Sequence, residues 1–236
     1  MASTTQEVKT FALSLGVDLV GIAGIDRLSE APPRHRPADI IANARSVISC
    51  AVRIPSGAIA GPATSYQATM NAIHARLDFL AARIAVFLED RGGRAVPVPA
   101  DEPYWHWDAK RSHGTGDLSH KHVAQAAGLG RLGKNSLLVT PQFGNRVQLV
   151  SIVTDVSFIP DPVLDWEPCP EGCMRCLAAC PAGAIGQRFA VDQALCRPVT
   201  MQRLAKGGIV ESCCACRARC PWGLGSSDQA LLPRVQ

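Results

Sequence analysis

Between Ser65 and Asp90 the apolar residues Ile73, Leu77, Leu80, Ile84, Phe87 and Leu88 return at helical spacing, and Gly92 and Gly93 close the stretch. That periodicity predicts one long helix with a single buried face. His74 and Arg76 lie off the stripe and are expected in solvent. Residues 6–15 place Val8, Phe11, Ala12 and Leu15 on one side of a shorter helix. D-L-V-G-I-A-G over 18–24 and S-V-I-S-C-A-V-R-I over 46–54 are short apolar runs bounded by turn residues, which predicts buried strands. Cys50 falls inside the second as a small core residue. Residues 94–99 carry two prolines, so that strand belongs at a sheet edge. A loop is expected over 100–117, a helix over 118–127, and strands over 136–140 and 146–154.

Residues 159–170, I-P-D-P-V-L-D-W-E-P-C-P, hold four prolines and cannot be helical. They divide the chain into two modules. Residues 1–160 form an α/β (α+β) domain whose sheet is covered by helices. Residues 161–236 form a small module dominated by cysteine.

Nine of the ten cysteines lie between Cys169 and Cys220. Each half of the module ends in C-x2-C-x3-C-P: Cys173, Cys176 and Cys180 before Pro181, then Cys213, Cys216 and Cys220 before Pro221. This is the spacing of ferredoxin-like proteins with two [4Fe–4S] clusters, in which the last cysteine of each run ligates the other cluster. Crossing assigns Cys169, Cys173, Cys176 and Cys220 to one cluster. It assigns Cys180, Cys196, Cys213 and Cys216 to the other. The gap from Cys169 to Cys173 holds three residues where the usual run has two. Cys214 is left as a free thiol. Zinc would favour paired knuckles with four ligands per metal, and disulfides belong to secreted chains. The start of the chain shows no secretory signal, so a reducing cytoplasm is expected.

Net charge is +4 and hydrophobic residues make up 47%. Basic residues are scattered, with no run and no aromatic interleaving, which argues against nucleic acid as a partner. No stretch has the length of about 20 apolar residues that a membrane span needs.

Residues 128–135 read G-L-G-R-L-G-K-N and satisfy G-x-G-x-x-G. A dinucleotide fingerprint needs a strand entering and a helix leaving; here the expected order is reversed, and nicotinamide binding is not expected. A P-loop would need Ser or Thr after Lys134, where Asn135 stands. A helix C-cap with glycine at positive φ is the plain alternative. His113, His120 and His122 lie close by in sequence. A metal triad is conceivable, but exposed or capping roles are expected for at least two of them.

The chain resembles the epoxyqueuosine reductase family and, more distantly, the corrinoid-dependent reductive dehalogenases. The similarity is carried by L-G-V-D-L-V-G-I-A at 15–23, A-R-S-V-I-S at 44–49, A-G-L-G-R-L-G-K-N-S-L-L-V-T-P-Q-F-G at 127–144 and the paired cysteine runs with Cys196 between them. The resemblance implies a corrinoid-binding N-terminal domain fed with electrons by the clusters. It makes Gly128, Gly130, Gly133, Lys134 and Asn135 the contacts of a cobalamin. It also implies an electron donor such as a ferredoxin or flavodoxin, and a small-molecule or nucleoside-type substrate. Three departures stand out. H-G-T-G-D occupies the place of the family's aspartate segment, leaving Asp108 and Asp117 as the nearby carboxylates. The family's G-R-D-Y-H segment is missing around Tyr66, and its helical-repeat domain has no counterpart in these 236 residues, as in a short member. A cobalamin-dependent iron–sulfur reductase and a non-catalytic electron carrier are the two competing functions. A redox-sensing nucleic-acid regulator is a weaker third.

Overall fold

In the computed structural model, residues 4–186, 190–203 and 208–223 are described. Along the sheet domain the elements are α1 (Thr5–Ser14), β1 (Leu19–Gly24), a 3-10 turn (Ile25–Leu28), α2 (Pro37–Ile40), β2 (Ser46–Arg53), α3 (Ser56–Ala60), α4 (Ala63–Glu89), β3 (Ala95–Val98), β4 (His106–Asp108), β5 (His113–Thr115), α5 (His120–Ala126), β6 (Arg131–Leu132), β7 (Leu138–Val139) and β8 (Val147–Thr154). The cysteine module follows with α6 (Arg175–Ala179), α7 (Gln193–Thr200), β9 (Met201–Arg203), β10 (Ile209–Glu211) and α8 (Ala215–Ala218).

Four strands make the main sheet in the order β1-β2-β8-β3, every neighbour antiparallel. The domain is therefore α+β, with none of the parallel pairing of a wound α/β sheet. The two central strands are buried along almost their whole length. Their alternate residues serve two cores. Ile48, Cys50, Val52, Val150 and Ile152 pack with α1 and α4, while Val47 and Val153 pack against Val123 and Ala127 around α5 on the other face. The result is helix, sheet and helix in three layers. Pro97 sits in β3, an edge strand, as its missing N–H requires.

Helix α1 starts with a reciprocal capping box between Thr4 and Glu7. Helix α4 buries Ile73, Leu77, Leu80, Ile84 and Leu88, as its periodicity predicts. His74 departs from expectation. It is half-buried and its Nδ1 lies 3.4 Å from Asp101 Oδ2. Arg76 is exposed, and it donates to the Gly16 carbonyl at 2.5 Å. The expected loop over 100–117 contains a short hairpin, β4 paired with β5.

The proline-rich connector has no regular structure, yet it is anchored. Asp161 receives the Ile22 N–H on Oδ2 at 2.8 Å and donates its own N–H to the Ile22 carbonyl at 2.9 Å. Its Oδ1 pairs with Lys9 at 2.6 Å, and its carbonyl accepts from Arg27 at 2.6 Å. One aspartate thus pairs the free edge of β1, which would otherwise expose unpaired backbone groups.

Candidate functional site

The eight motif cysteines fall into two neighbourhoods. Cys176 lies beside Cys169 and Cys173; burial first, then those neighbours, push its thiol above the ordinary value. Cys220, from the second run, joins the same group: burial and the adjacent Cys169, Cys176 and Cys173 push it up to about 11. The other group forms around Cys216, raised to about 11 by burial and then by Cys196, Cys213 and Cys180. Cys196 is raised by burial and then by Cys180 and Cys213. Each run therefore places its last cysteine among those of the other. Cys214 is absent from the neighbours of Cys196 and Cys216; burial first, and its chain neighbour Cys213 among others, raise its thiol, and it packs against the α4 core with its sulfur 3.5 Å from the Ile59 carbonyl oxygen.

The turns that bear these thiols are short. Helix α6 follows Cys173 and carries Cys176, and α8 follows Cys214 and carries Cys216; the two helices pack together. Cys180 Sγ accepts the Ala184 N–H at 3.3 Å, which turns the chain away after Pro181.

The glycine loop supplies the wall on the sheet-domain side. Helix α5 ends in a Schellman motif: Gly128, at φ 73°, donates to Gln125 O, and Leu129 donates to Ala124 O. Strand β6 leaves the loop, so helix-before and strand-after hold and no dinucleotide fingerprint is formed. Gly133, Lys134 and Asn135 line one cleft together with Cys169, Cys173, Cys176, Cys220 and Trp222. The Lys134 N–H donates to Cys169 Sγ at 3.3 Å, and its ammonium donates to the Cys173 carbonyl at 2.9 Å. Asn135 Nδ2 donates to the Cys216 carbonyl at 3.2 Å, bridging toward the other group.

The loop's glycines are small for the chain's own sake. A Cβ on Gly128 would stand 2.2 Å from the Pro162 carbonyl oxygen, and one on Gly130 would stand 2.2 Å from the Val139 carbonyl oxygen. A Cβ on Gly133 would meet Asn135 and Val139 at 3.0 and 3.2 Å, with Cys169 Sγ next at 3.7 Å. Gly133, Lys134 and Asn135 thus seat the cysteine module, while Gly128 and Gly130 let the loop pack against the connector and β7.

Three residues that the cysteine motifs alone do not disclose complete the seat. Asn145, fully buried ahead of β8, donates from Nδ2 to the Arg217 carbonyl at 3.3 Å and from its backbone to the Trp222 carbonyl at 3.2 Å. The Arg217 guanidinium donates to the Asn145 carbonyl in return. Trp222 lines the cysteine cleft, and its indole Nε1 is buried with no hydrogen-bond partner among the described residues. A buried donor without a partner in the wall of a cysteine-lined cleft leaves room for an accepting group there. The residues present fit an iron–sulfur cluster.

A second polar assembly lies beside Cys196. Arg197 donates to Tyr104 Oη at 2.9 Å, and Tyr104 donates to Asp101 Oδ1 at 2.9 Å, which in turn pairs with His74. Burial lowers His74, but the hydrogen bond and charge of Asp101 outweigh it and the imidazole sits above its ordinary value. The same hydrogen bond is the largest cause holding Asp101 below its own. The Arg197 guanidinium lies over the Tyr104 and Trp107 rings, 5.3 and 5.0 Å from their centroids. An open recess of about 490 Å³ is walled by Glu102, Pro103, Tyr104 and Trp107.

The histidines do not assemble. His120 uses both ring nitrogens inside the protein, on Ser151 Oγ and the Pro99 carbonyl, each at 2.8 Å. His122 is exposed and bonded to Ser119, and His113 is exposed on β5. Among the described residues no three of His, Cys, Asp and Glu close on a single metal-ion position. Asp108 Oδ1 receives the N–H groups of Lys110 and Arg111 and caps the hairpin turn, while Asp117 is half-buried ahead of α5.

No protein-family model matches the chain. An epoxyqueuosine reductase of Gloeobacter violaceus is 30% identical over 265 residues, covering 95% of this chain and 77% of the relative. The chain belongs to the epoxyqueuosine reductase family. The epoxyqueuosine reductase of Bacillus cereus is 26% identical over 250 residues, and the chain spans 64% of that relative's length. A crystal structure of a selenomethionine-labelled epoxyqueuosine reductase superposes with TM-score 0.64 at 23% identity, over 92% of this chain and 65% of that one. The catabolic reductive dehalogenase NpRdhA superposes with TM-score 0.68 at 18% identity, over 96% of this chain and 33% of that one. The superpositions show the mixed α/β fold. No helix among the described residues is long and apolar enough to cross a membrane.

Proposed function

We propose that this family member is an iron–sulfur oxidoreductase with two [4Fe–4S] clusters, which takes single electrons from a ferredoxin- or flavodoxin-type donor. One observation carries the reading: eight thiols from two runs sort into two sets of four, each containing the final cysteine of the other run. The clusters supply one-electron transfer. The chain's own part is to hold them against the sheet domain. Lys134 and Asn135 do this from the glycine loop, and Asn145 does it through the backbone of the second run.

The acceptor lies in the sheet domain. The recess walled by Tyr104 and Trp107 stands beside Arg197, the chain neighbour of Cys196. It offers aromatic faces, a fixed guanidinium and the Tyr104 hydroxyl to a small planar or nucleoside-type substrate. Asp108 and Asp117 flank the β5 segment that replaces the family's aspartate and are the proposed proton donors. Cobalamin is the acceptor that the family resemblance brings.

The test is the metal content of anaerobically purified, reconstituted protein. Four irons and four sulfides per cluster in two clusters support the proposal, and zinc in their place overturns it. Saturable cobalamin binding by the wild type would add a corrinoid acceptor. A non-catalytic electron carrier is the competing reading, favoured by the H-G-T-G-D segment. Iron without cobalt and without turnover of any reducible substrate would select it.

A further inference from the structure

Trp222 follows Cys220-Pro221 and lines the cleft ringed by Cys169, Cys173, Cys176 and Cys220. Its ring is held from the side by Trp166, edge-on with centroids 5.4 Å apart, and its carbonyl accepts the Asn145 N–H. Its Nε1 is buried and meets no acceptor among the described residues. An indole nitrogen is a donor only, so it cannot be satisfied by turning into an acceptor. Buried donors in native proteins find partners, and the chemistry that this cleft is built to receive is a cluster of sulfurs.

We propose that the Trp222 indole N–H donates a hydrogen bond to a sulfur of the cluster held by Cys169, Cys173, Cys176 and Cys220, and raises that cluster's reduction potential. The proposal rests on the two-cluster reading above. On reduction the cluster gains one electron from the donor, and the added negative charge spreads over its sulfurs. A fixed N–H favours the more negative form, because hydrogen bonds to charged acceptors are the stronger ones. The Lys134 N–H on Cys169 acts in the same direction from the opposite module.

The experiment uses the full chain with both clusters reconstituted, titrated with dithionite and followed by electron paramagnetic resonance. Trp222→Phe keeps an aromatic ring and removes only the donor. Iron and sulfide content should be unchanged. One cluster's reduction should become about tenfold less favourable, a fall of about 59 mV for a one-electron step, while the other's stays where it was. Trp166→Phe should move neither. A second measurement needs no variant: wild-type protein labelled with 15N-tryptophan should show a nitrogen hyperfine coupling on the reduced cluster. Asn145 Oδ1 is also without a partner among the described residues; an indole that bonds there would give no coupling and no shift, and either result overturns the proposal. If Trp222→Phe loses iron, the wild-type coupling decides. A wild type that takes up no cluster sinks the functional reading itself, whereas full loading with unmoved potentials sinks only this inference.

Discussion

The backbone N–H of Lys134 donates to the sulfur of Cys169 across 3.3 Å, so the glycine loop of the sheet domain touches the first cysteine run directly. The loop's most conspicuous sequence feature, three glycines in six residues, thereby finds a purpose inside the protein. It lets two backbones approach where a side chain would hold them apart.

Gly130 should be intolerant for that reason. A Cβ there would lie 2.2 Å from the Val139 carbonyl oxygen, which is backbone and cannot swing aside. Gly130→Ala should cost about 1–3 kcal/mol, the range for overpacking. Because the strands β6 and β7 carry Lys134 and Asn135 between them, iron content should fall together with the thermal midpoint. Loss of stability with full iron retention would separate the loop from the cysteine module.

The crossed sets make the cysteines unequal in an ordered way. Cys180→Ala should damage the cluster grouped around Cys196, Cys213 and Cys216, and Cys220→Ala the one grouped around Cys169, Cys173 and Cys176. Cys214→Ala should leave iron unchanged. Spectra of the three variants check this, and each final cysteine serving its own run would reverse the assignment.

Asp161 should be worth more than a surface ion pair. It receives the Ile22 N–H and the Lys9 ammonium on separate oxygens. Asp161→Ala strips the β1 edge of an acceptor and should cost about 1–3 kcal/mol. Lys9→Ala, removing only a partly exposed partner, should cost under about 1 kcal/mol. Chemical denaturation of the two variants gives the comparison, and equal losses would show that the backbone staple contributes nothing.

His120 should make the fold acid-sensitive. Burial, its largest cause, holds the imidazole below its ordinary value in the folded state. The unfolded chain therefore binds the proton more readily, and stability is lost as pH falls below about 6.5. His120→Gln keeps a hydrogen-bonding side chain without the titration and should flatten the stability profile between about pH 6.5 and the lower folded value. An unchanged slope in that variant would assign the acid sensitivity elsewhere.

How much of this was legible in the sequence depended on whether a residue's neighbour was local or distant. α1, α4, β1, β2, β3 and β8 could be located because their burial repeats at a fixed period along the chain itself. The hairpin of β4 and β5 escaped, since strands of three residues are too short to show alternation. A helical stripe records only its own helix and so sends His74 to solvent; its partner, Asp101, comes from the loop after β3. The division of the cysteines follows their spacing. The target of the glycine loop does not, because a glycine announces that something comes close and never what. Asn145 carried no signal at all, as its role is to bond backbone groups of Arg217 and Trp222 more than seventy positions away.

The interleaving of the two thiol sets has a consequence for how the chain is made. Synthesis runs from the N-terminus, and Cys220 is the last motif cysteine to leave the ribosome. The first set has three of its four sulfurs once Cys176 has emerged, and must then wait for 44 further residues before the fourth arrives. The second set is complete earlier, at Cys216, although it begins later. A nascent chain cut short anywhere between Cys216 and Cys220 would hold one finished set and one open to solvent on its missing side. The set that begins first is thus the last to have all its sulfurs, and it is the one in contact with Lys134 of the glycine loop.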